Sequence, residues 1–486
     1  MIDASTLGYG FDEEAGFGEP APEPRPAMSG LERLGLAIVG AGLLSLIVQV
    51  FWGFGNGTWL GFASSLGALS AGAMLTFWAS YRDTAPGIKH DGVWFSSLLA
   101  RGALGWVAGI LMTGLYVLLY WYPEYLGYQP AVWGDGGQVE PARVTGGLVQ
   151  VVDPLARWMI GGPSSQWFLY GVLYSLSMLT FGVRMAMKYR HNRYQLVRTG
   201  SVLFFQLVFA WVLPNILILF QKPYWEFNGL WPLKYDYLWP GKVGELWNTP
   251  GALGVFILFW GVVTSLVAVP VLTYFFGKRW YCSWVCGCGG LAETVGDGWR
   301  QLSDKSTRAW HFERWIIHGV LVFVLVVTGL LWTNHLTDGG VFGSFSYQAK
   351  AWYGFYIGAL FSGVAGVGFY PLLGNRVWCR FGCPQAAILG LFQRYFSRFR
   401  ITTNGGQCMS CGNCSTYCEM GIDVRAYAQK GDNIIRASCV GCGVCSAVCP
   451  RGVLKLENGP ETGDRYAGAG EPVRQFVRDL TSRPRA

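Results

Sequence analysis

Eight apolar segments, each about 20 residues long, restrict the fold of this chain more than any other feature of its sequence. An α-helix of that length crosses the hydrocarbon core of a bilayer, which is about 30 Å thick. The pattern therefore predicts a mostly α, polytopic membrane protein with about eight transmembrane helices. The segments fall at 34–53, 59–80, 103–122, 166–187, 199–221, 251–276, 314–333 and 351–373.

The composition and the charge pattern agree with a membrane protein. Hydrophobic residues make up 52% of the 486 residues and charged residues only 14%, whereas a soluble chain carries about 25% charge. Lys and Arg are concentrated after the second, fourth, sixth and eighth segments, so the net charge of +8 indicates cytoplasmic loops rather than a nucleic-acid partner. The positive-inside rule predicts a multi-pass protein of the bacterial inner membrane with both termini in the cytoplasm.

The segments divide the chain into five predicted regions. Residues 1–30 are rich in Pro, Gly and Glu and are predicted to be a disordered, acidic tail without a cleavable signal. Residues 31–198 would hold four spans. Residues 199–400 would hold four more, together with two C-x3-C motifs. Residues 401–457 would form a ferredoxin domain, and 458–486 a flexible polar tail.

Two complete C-x2-C-x2-C-x3-C runs follow the last apolar segment, and Pro450 follows the second run. This spacing is typical of bacterial two-cluster ferredoxins, in which the fourth Cys of each run binds the other cluster. Zinc sites use fewer Cys, and disulfides are disfavoured in a reducing cytoplasm. The runs predict a small α+β domain with two [4Fe–4S] clusters. One cluster would bind Cys408, Cys411, Cys414 and Cys449, and the other Cys439, Cys442, Cys445 and Cys418.

Five further cysteines lie directly after apolar segments, in "GKRWYCSWVCGC" and "GNRVWCRFGCP". Both stretches read Gly, one residue, Arg, two residues and then C-x3-C, which indicates an internal repeat over roughly 251–400. C-x3-C places two sulfurs about one helical turn apart, and two such pairs could complete a four-thiolate site. A metal or cluster site, thiol redox chemistry and a purely structural role all remain open. The residues are Cys282, Cys286, Cys288, Cys379 and Cys383.

The paired "YCSWVC" and "WCRFGCP" motifs, followed by a two-cluster segment, resemble those of the membrane polyferredoxins associated with periplasmic nitrate reductase and nitrous-oxide reductase (NapH- and NosR-like). They are similar too to cytochrome-oxidase assembly proteins (CcoG-like). The resemblance covers roughly 199–457. It implies quinol oxidation or electron supply to an external reductase, or alternatively the handling of copper. This chain departs from the family where Gly287 replaces a Pro and Cys288 is added, which makes Cys288 an alternative ligand.

These observations lead to one functional hypothesis and two alternatives. The protein is expected to exchange electrons between the quinone pool, two cytoplasmic [4Fe–4S] clusters and a partner redox protein, as a subunit of a respiratory or reductase complex. It would then act as a quinol dehydrogenase subunit without catalytic residues of its own. The alternatives are a maturation factor that handles metal through the cysteines at the membrane edge, and a membrane anchor whose clusters only dock a partner. No P-loop, dinucleotide fingerprint or Ser/His/Asp motif occurs.

Overall fold

The computed structural model describes residues 28–82, 102–133, 139–403 and 407–458. The predicted terminal tails fall almost entirely outside the described residues. Seven helices are long and apolar enough to cross a bilayer, which confirms a mostly α, multi-pass membrane protein. They are α1 (Gly30–Trp52), α2 (Trp59–Arg82), α3 (Ala103–Trp121), α4 (Gln166–Lys188), α5 (Arg193–Leu219), α6 (Leu253–Phe276) and α7 (Thr307–Leu336).

The described residues thus contain seven such helices rather than eight. The last predicted span, 351–373, is helical over Ser344–Trp352, Tyr353–Ala365 and Gly366–Gly368, but it is not among the seven. Its many Gly, Tyr and Trp residues lower its mean hydropathy, and Tyr353–Ala365 has the wider π-helical hydrogen bonding. Shorter π-helical turns also interrupt α2, α5 and α6, at Ala63–Gly67, Phe205–Val212 and Thr264–Ala268.

Glycines allow α1 and α2 to pack closely against each other. A Cβ atom on Gly35 would lie 2.3 Å from the Thr76 Oγ1 atom, and one on Gly42 would lie 2.9 Å from the Leu69 backbone nitrogen. In a bilayer, where helices gain little from burying apolar surface against each other, such close backbone approach is a main source of association. Gly72 of α2 contributes to the same contact, since a Cβ atom on it would lie 2.8 Å from Gly35 O.

Short elements connect the membrane helices. Two antiparallel pairs, Tyr128–Gln129 with Arg143–Val144 and Val132–Trp133 with Val139–Glu140, follow the turn Pro123–Leu126. The remaining connecting helices are Gly147–Val151, Asp153–Ile160, Pro240–Trp247, Trp280–Trp284, Gly287–Thr294, Val295–Leu302, Tyr370–Leu373, Trp378–Gly382 and Pro384–Phe396.

The C-terminal domain is the predicted small α+β unit. Its strands Phe399–Thr403 and Leu454–Asn458 pair antiparallel, with Ile401 opposite Leu456. Its helices are Asn413–Thr416, Val424–Lys430 and Val444–Ala447. One continuous buried core contains Ile422 and Val440 of this domain together with Tyr281 and Cys383 of the membrane-edge motifs. The domain is thus packed onto the membrane region rather than tethered beside it.

Candidate iron–sulfur sites

The eight ferredoxin cysteines surround two separate cavities. The first is called here the outer site and the second the inner site. Each cavity is lined by three cysteines of one run and the fourth cysteine of the other run, as the spacing predicts. The outer site holds Cys408, Cys411, Cys414 and Cys449, and the inner site holds Cys418, Cys439, Cys442 and Cys445.

Left-handed backbone in the cysteine loops allows them to curl around the cavities. Ser410 and Gly412 have φ angles of 58° and 77°, and Gly441 and Gly443, at the matching positions of the second run, have 69° and 72°. This conformation is costly for most residues and free for Gly. The loop after Cys418 also turns a backbone donor inward, because the Ile422 N–H lies 3.4 Å from the Cys418 Sγ atom.

The donor set fits [4Fe–4S] clusters. Burial raises the pKa of Cys418 to about 11 although the backbone N–H groups of Ile422 and Met420 lower it, so a bound metal is needed to hold this sulfur as thiolate at neutral pH. Among the residues that the structure describes, no three His, Cys, Asp or Glu side chains are grouped to hold a single metal ion. A cubane needs no such group, since each of its thiolates binds a different iron.

The two sites differ in exposure. Cys411 is exposed and Met409 beside it is 58% exposed, so the outer site opens to solvent. The inner site faces the membrane region. Its backbone accepts hydrogen bonds from Tyr194 Oη to Gly441 O (2.8 Å), from Ser283 Oγ to Val440 O (3.0 Å), and from Ser303 Oγ to Glu419 O (2.7 Å).

The two membrane-edge motifs meet beneath the inner site. Cys282, Cys286, Cys379 and Cys383 are all buried. The repeat is reciprocal. Arg279 Nη1 of the first motif donates to Cys379 O of the second (3.0 Å), and Arg376 Nη1 of the second donates to Cys282 O of the first (3.2 Å). Burial raises the pKa of Cys282 well above its ordinary value, and the three other edge thiols raise it further. We call these four cysteines the edge site.

Glycine is required at the start of each motif. Gly277 and Gly374 have φ angles of 56° and 93°. A Cβ on Gly277 would overlap the Phe399 side chain, and one on Gly374 would lie 2.4 Å from the Ser303 Oγ atom. The first approach brings Gly277 against the ferredoxin domain, and the second brings Gly374 against Ser303, which itself donates to Glu419 O of that domain.

The structure explains one of the two departures from the family, the Gly at position 287. A Cβ on Gly287 would lie 2.7 Å from Gln206 Oε1 and 3.0 Å from Tyr174 Oη, and Tyr174 Oη donates to Gly287 O (3.1 Å). The first four spans, which the sequence left without a role, therefore contribute Tyr174 to the surroundings of the edge site. A hydrogen bond from Cys288 lowers the pKa of Cys286 to about 7. Burial opposes this change, and the backbone N–H groups of Gly289 and Cys288 support it.

A buried ionic network joins the ferredoxin domain to the edge site. The sequence did not predict this network. The Glu419 carboxylate accepts from Arg376 Nη2 (3.1 Å) and Asn375 Nδ2 (3.3 Å) and pairs with Arg300 Nη1 (3.5 Å). Arg376 also pairs with Glu293. Glu419 stands where ferredoxins often have Pro, so the departure in sequence marks a contact between the two parts of the protein.

Comparison with known proteins supports iron–sulfur chemistry in both parts. A family of 4Fe-4S dicluster domains matches residues 407–454, and a family of 4Fe-4S binding domains matches twice, at 256–305 and 356–403. The second family thus covers both copies of the internal repeat and all five membrane-edge cysteines.

Two named relatives are similar to parts of the chain. The putative electron transport protein YccM of Escherichia coli K12 is 25% identical over 206 residues, which cover 40% of this chain and 53% of that protein. The methylamine utilization ferredoxin-type protein MauN of Methylobacillus flagellatus is 27% identical over 160 residues, covering 32% and 54%. The chain thus matches about half the length of these relatives. No solved structure matches.

The fold, the cysteine cavities and the matched families together indicate a helical membrane protein with a ferredoxin-type domain for [4Fe–4S] clusters. This confirms the predicted fold class and the predicted cofactor.

Proposed function

We propose that the protein exchanges electrons between the quinone pool and a partner redox protein. The observation that carries the proposal is the order of the sites. The edge site lies under the inner site, and the outer site opens to solvent. Arg279 links the edge site to the inner site, because its Nη1 donates to Cys379 O and its Nε donates to Ala437 O (2.8 Å), two residues before Cys439.

The ferredoxin cysteines would hold two [4Fe–4S] clusters, which supply one-electron transfer when bound. The edge site would hold a third iron–sulfur or metal centre on Cys282, Cys286, Cys379 and Cys383. Four buried thiols from two reciprocal motifs, within segments that match a 4Fe-4S binding family, support this assignment. A centre at the membrane edge shortens the distance between a lipid-soluble carrier and the inner site.

A quinone is the proposed carrier because the sites adjoin a bundle of apolar helices and because the motif pair resembles that of NapH- and NosR-like polyferredoxins. The basic loops support a cytoplasmic position for both termini and the ferredoxin domain, with the helices in the inner membrane. The solvent-open outer site then faces a cytoplasmic partner, as expected for a subunit of a respiratory or reductase complex.

A maturation factor that handles metal is the second candidate. A fifth thiol favours the maturation factor. Cys288 is hydrogen-bonded to Cys286, and a closed four-thiolate site has no need of a fifth ligand. Metal transfer between proteins proceeds through such spare ligands, and the CcoG-like resemblance points the same way.

Anaerobic purification followed by iron and sulfide counting and EPR tests both candidates. About eight irons per chain correspond to two clusters, and about twelve to a third cluster at the edge site. We expect about twelve, falling to about eight in Cys379→Ser, and reduction of the EPR-active clusters by a short-chain quinol. If quinol does not reduce the clusters and quinone does not reoxidise them, quinone exchange is ruled out. Intact cluster redox with a metal-deficient partner enzyme would favour the maturation factor.

A further inference from the structure

The two Gly-x-Arg segments of the repeat occupy matching positions in the sequence but differ in charge. In the second, Arg376 is paired with the carboxylates of Glu293 and Glu419, and the residue before it is the neutral Asn375. The positive charge of Arg376 thus has two carboxylates as partners. The first segment carries Lys278 and Arg279 at the same two positions.

Lys278 and Arg279 are each only 2% exposed. Lys278 Nζ donates to Ile434 O (2.8 Å), and Arg279 donates to Ala437 O and Cys379 O. These are neutral carbonyl acceptors. In the part of the chain that the structure describes, the ion pairs involve neither residue. The first segment therefore buries positive charge that no carboxylate balances.

A buried charge without an opposite charge is strongly unfavourable, and an Arg cannot escape the cost by losing its proton. The location of these two residues indicates where the balancing charge lies. The Lys278 side chain packs against Gly441, between Cys439 and Cys442 of the inner site, and Arg279 reaches the edge site through Cys379 O. The groups on both sides of the pair are cysteine clusters, and a cubane held by four thiolates is an anion.

We propose that Lys278 and Arg279 form a cationic bridge that balances the negative charge of two iron–sulfur centres, one in the inner site and one in the edge site, and raises the reduction potential of both. Reduction adds one electron to a centre and makes it more negative, with the electron coming from a quinol or a chemical reductant. A fixed positive charge nearby favours that state, and most strongly where water is excluded. The bridge would hold the electron near the membrane until a partner accepts it from the outer site.

The inference rests on the proposed function only in assigning a centre to the edge site. Its test uses the full chain, purified anaerobically in detergent, with redox titration monitored by EPR and with iron counting. Arg279→Gln and Lys278→Gln each remove one charge but keep a side-chain N–H donor. Arg279→Lys and Lys278→Arg keep the charge. Arg425→Gln is the matched control, because Arg425 is exposed and lines the outer site.

We expect each Gln variant to lower the equilibrium constant for reduction of the inner cluster about tenfold, which is about 59 mV for one electron. The outer cluster should shift much less, and the charge-keeping variants should stay near the parent. Arg425→Gln should leave the inner cluster unchanged, since water screens the exposed charge.

If Arg279→Gln loses iron, the reduction potential of the inner cluster in Lys278→Gln tests the proposal instead. Lys278 has a single carbonyl contact, to Ile434 O, and the amide of Gln can keep it. Unchanged inner and edge potentials in a Gln variant with full iron content would overturn the proposal. If quinol does not reduce the clusters, quinone exchange is rejected, but chemical reductants can still reveal the potential shift. The failure of the proposed function and the failure of the cationic bridge are therefore distinguishable.

Discussion

Glu419→Gln should detach the ferredoxin domain from the membrane region at moderate temperature. The Glu419 side chain is fully buried and contacts Arg376, Arg300 and Asn375. Burial alone would raise the pKa of Glu419, but Arg376, Arg300 and Arg198 lower it from 4.5 to about 2. A shift of this size corresponds to about 3 kcal/mol of stability. Removing one member of a buried ion pair costs a similar ~3–5 kcal/mol.

The sign of the pH dependence follows from the direction of the shift. Because the pKa of Glu419 is lower in the folded protein, its contribution is complete above about pH 4.5 and is lost as the pH falls towards about 2. At neutral pH the variant therefore lacks the whole contribution. For a domain of this size, about 3 kcal/mol corresponds to a fall of at least ~10 °C in the melting temperature.

The assay heats the purified protein under anaerobic conditions and follows the visible absorbance of the iron–sulfur clusters together with its elution as a single species. Glu245→Gln is the matched control, since Glu245 forms an exposed pair with Lys242 and should change stability by less than ~1 kcal/mol. A Glu419→Gln protein that melts within ~2 °C of the parent would refute the reasoning, because the buried network would then contribute no more than a surface pair.

Three further changes test other parts of the structure. Cys449→Ser should remove the outer cluster and Cys418→Ser the inner one, each with a loss of about four irons and of one EPR signal; loss of the opposite signals would show that the runs do not exchange their fourth ligands. Asp297→Asn should lower the melting temperature by at least ~5 °C, because it leaves Lys188 buried without its carboxylate partner at 2.8 Å. Cys288→Ser should keep the full iron content if Cys288 is a spare thiol, and an iron loss equal to that of Cys379→Ser would instead make it a ligand.

The sequence predicted those features that short spacings determine. The two four-cysteine runs specify their own loops, so the domain type and the two cysteine sets around the cavities could be derived without a structure. The apolar segments predicted a helical membrane protein for the same reason, since about 20 residues suffice to define a span. The last segment, 351–373, shows the limit of this reasoning, because its Gly and aromatic content weakens the hydropathy signal.

The ionic network could not be predicted, because its partners are distant in sequence. Glu293 and Arg376 are 83 residues apart, and Lys188 and Asp297 are 109 apart. The positive-inside rule explains why basic residues are frequent after α4 and α6, but it treats them as loop charges facing the cytoplasm. In the folded protein Lys188, after α4, and Arg279, after α6, are buried. The rule therefore predicts a side of the membrane and says nothing of the partner of each charge.

The charge difference between the two halves of the repeat also explains why the ferredoxin domain has one orientation. The uncompensated segment, Lys278 and Arg279, faces the backbone before Cys439, and the compensated segment faces Glu419, directly after Cys418. Both cysteines line the inner site. A domain docked through the outer site would offer no Glu to Arg376 at this position and would leave two buried cations without the cluster charge that we propose for them. Lys278 and Asn375, which differ between the two halves of the repeat, thus favour the inner site rather than the outer site at this contact.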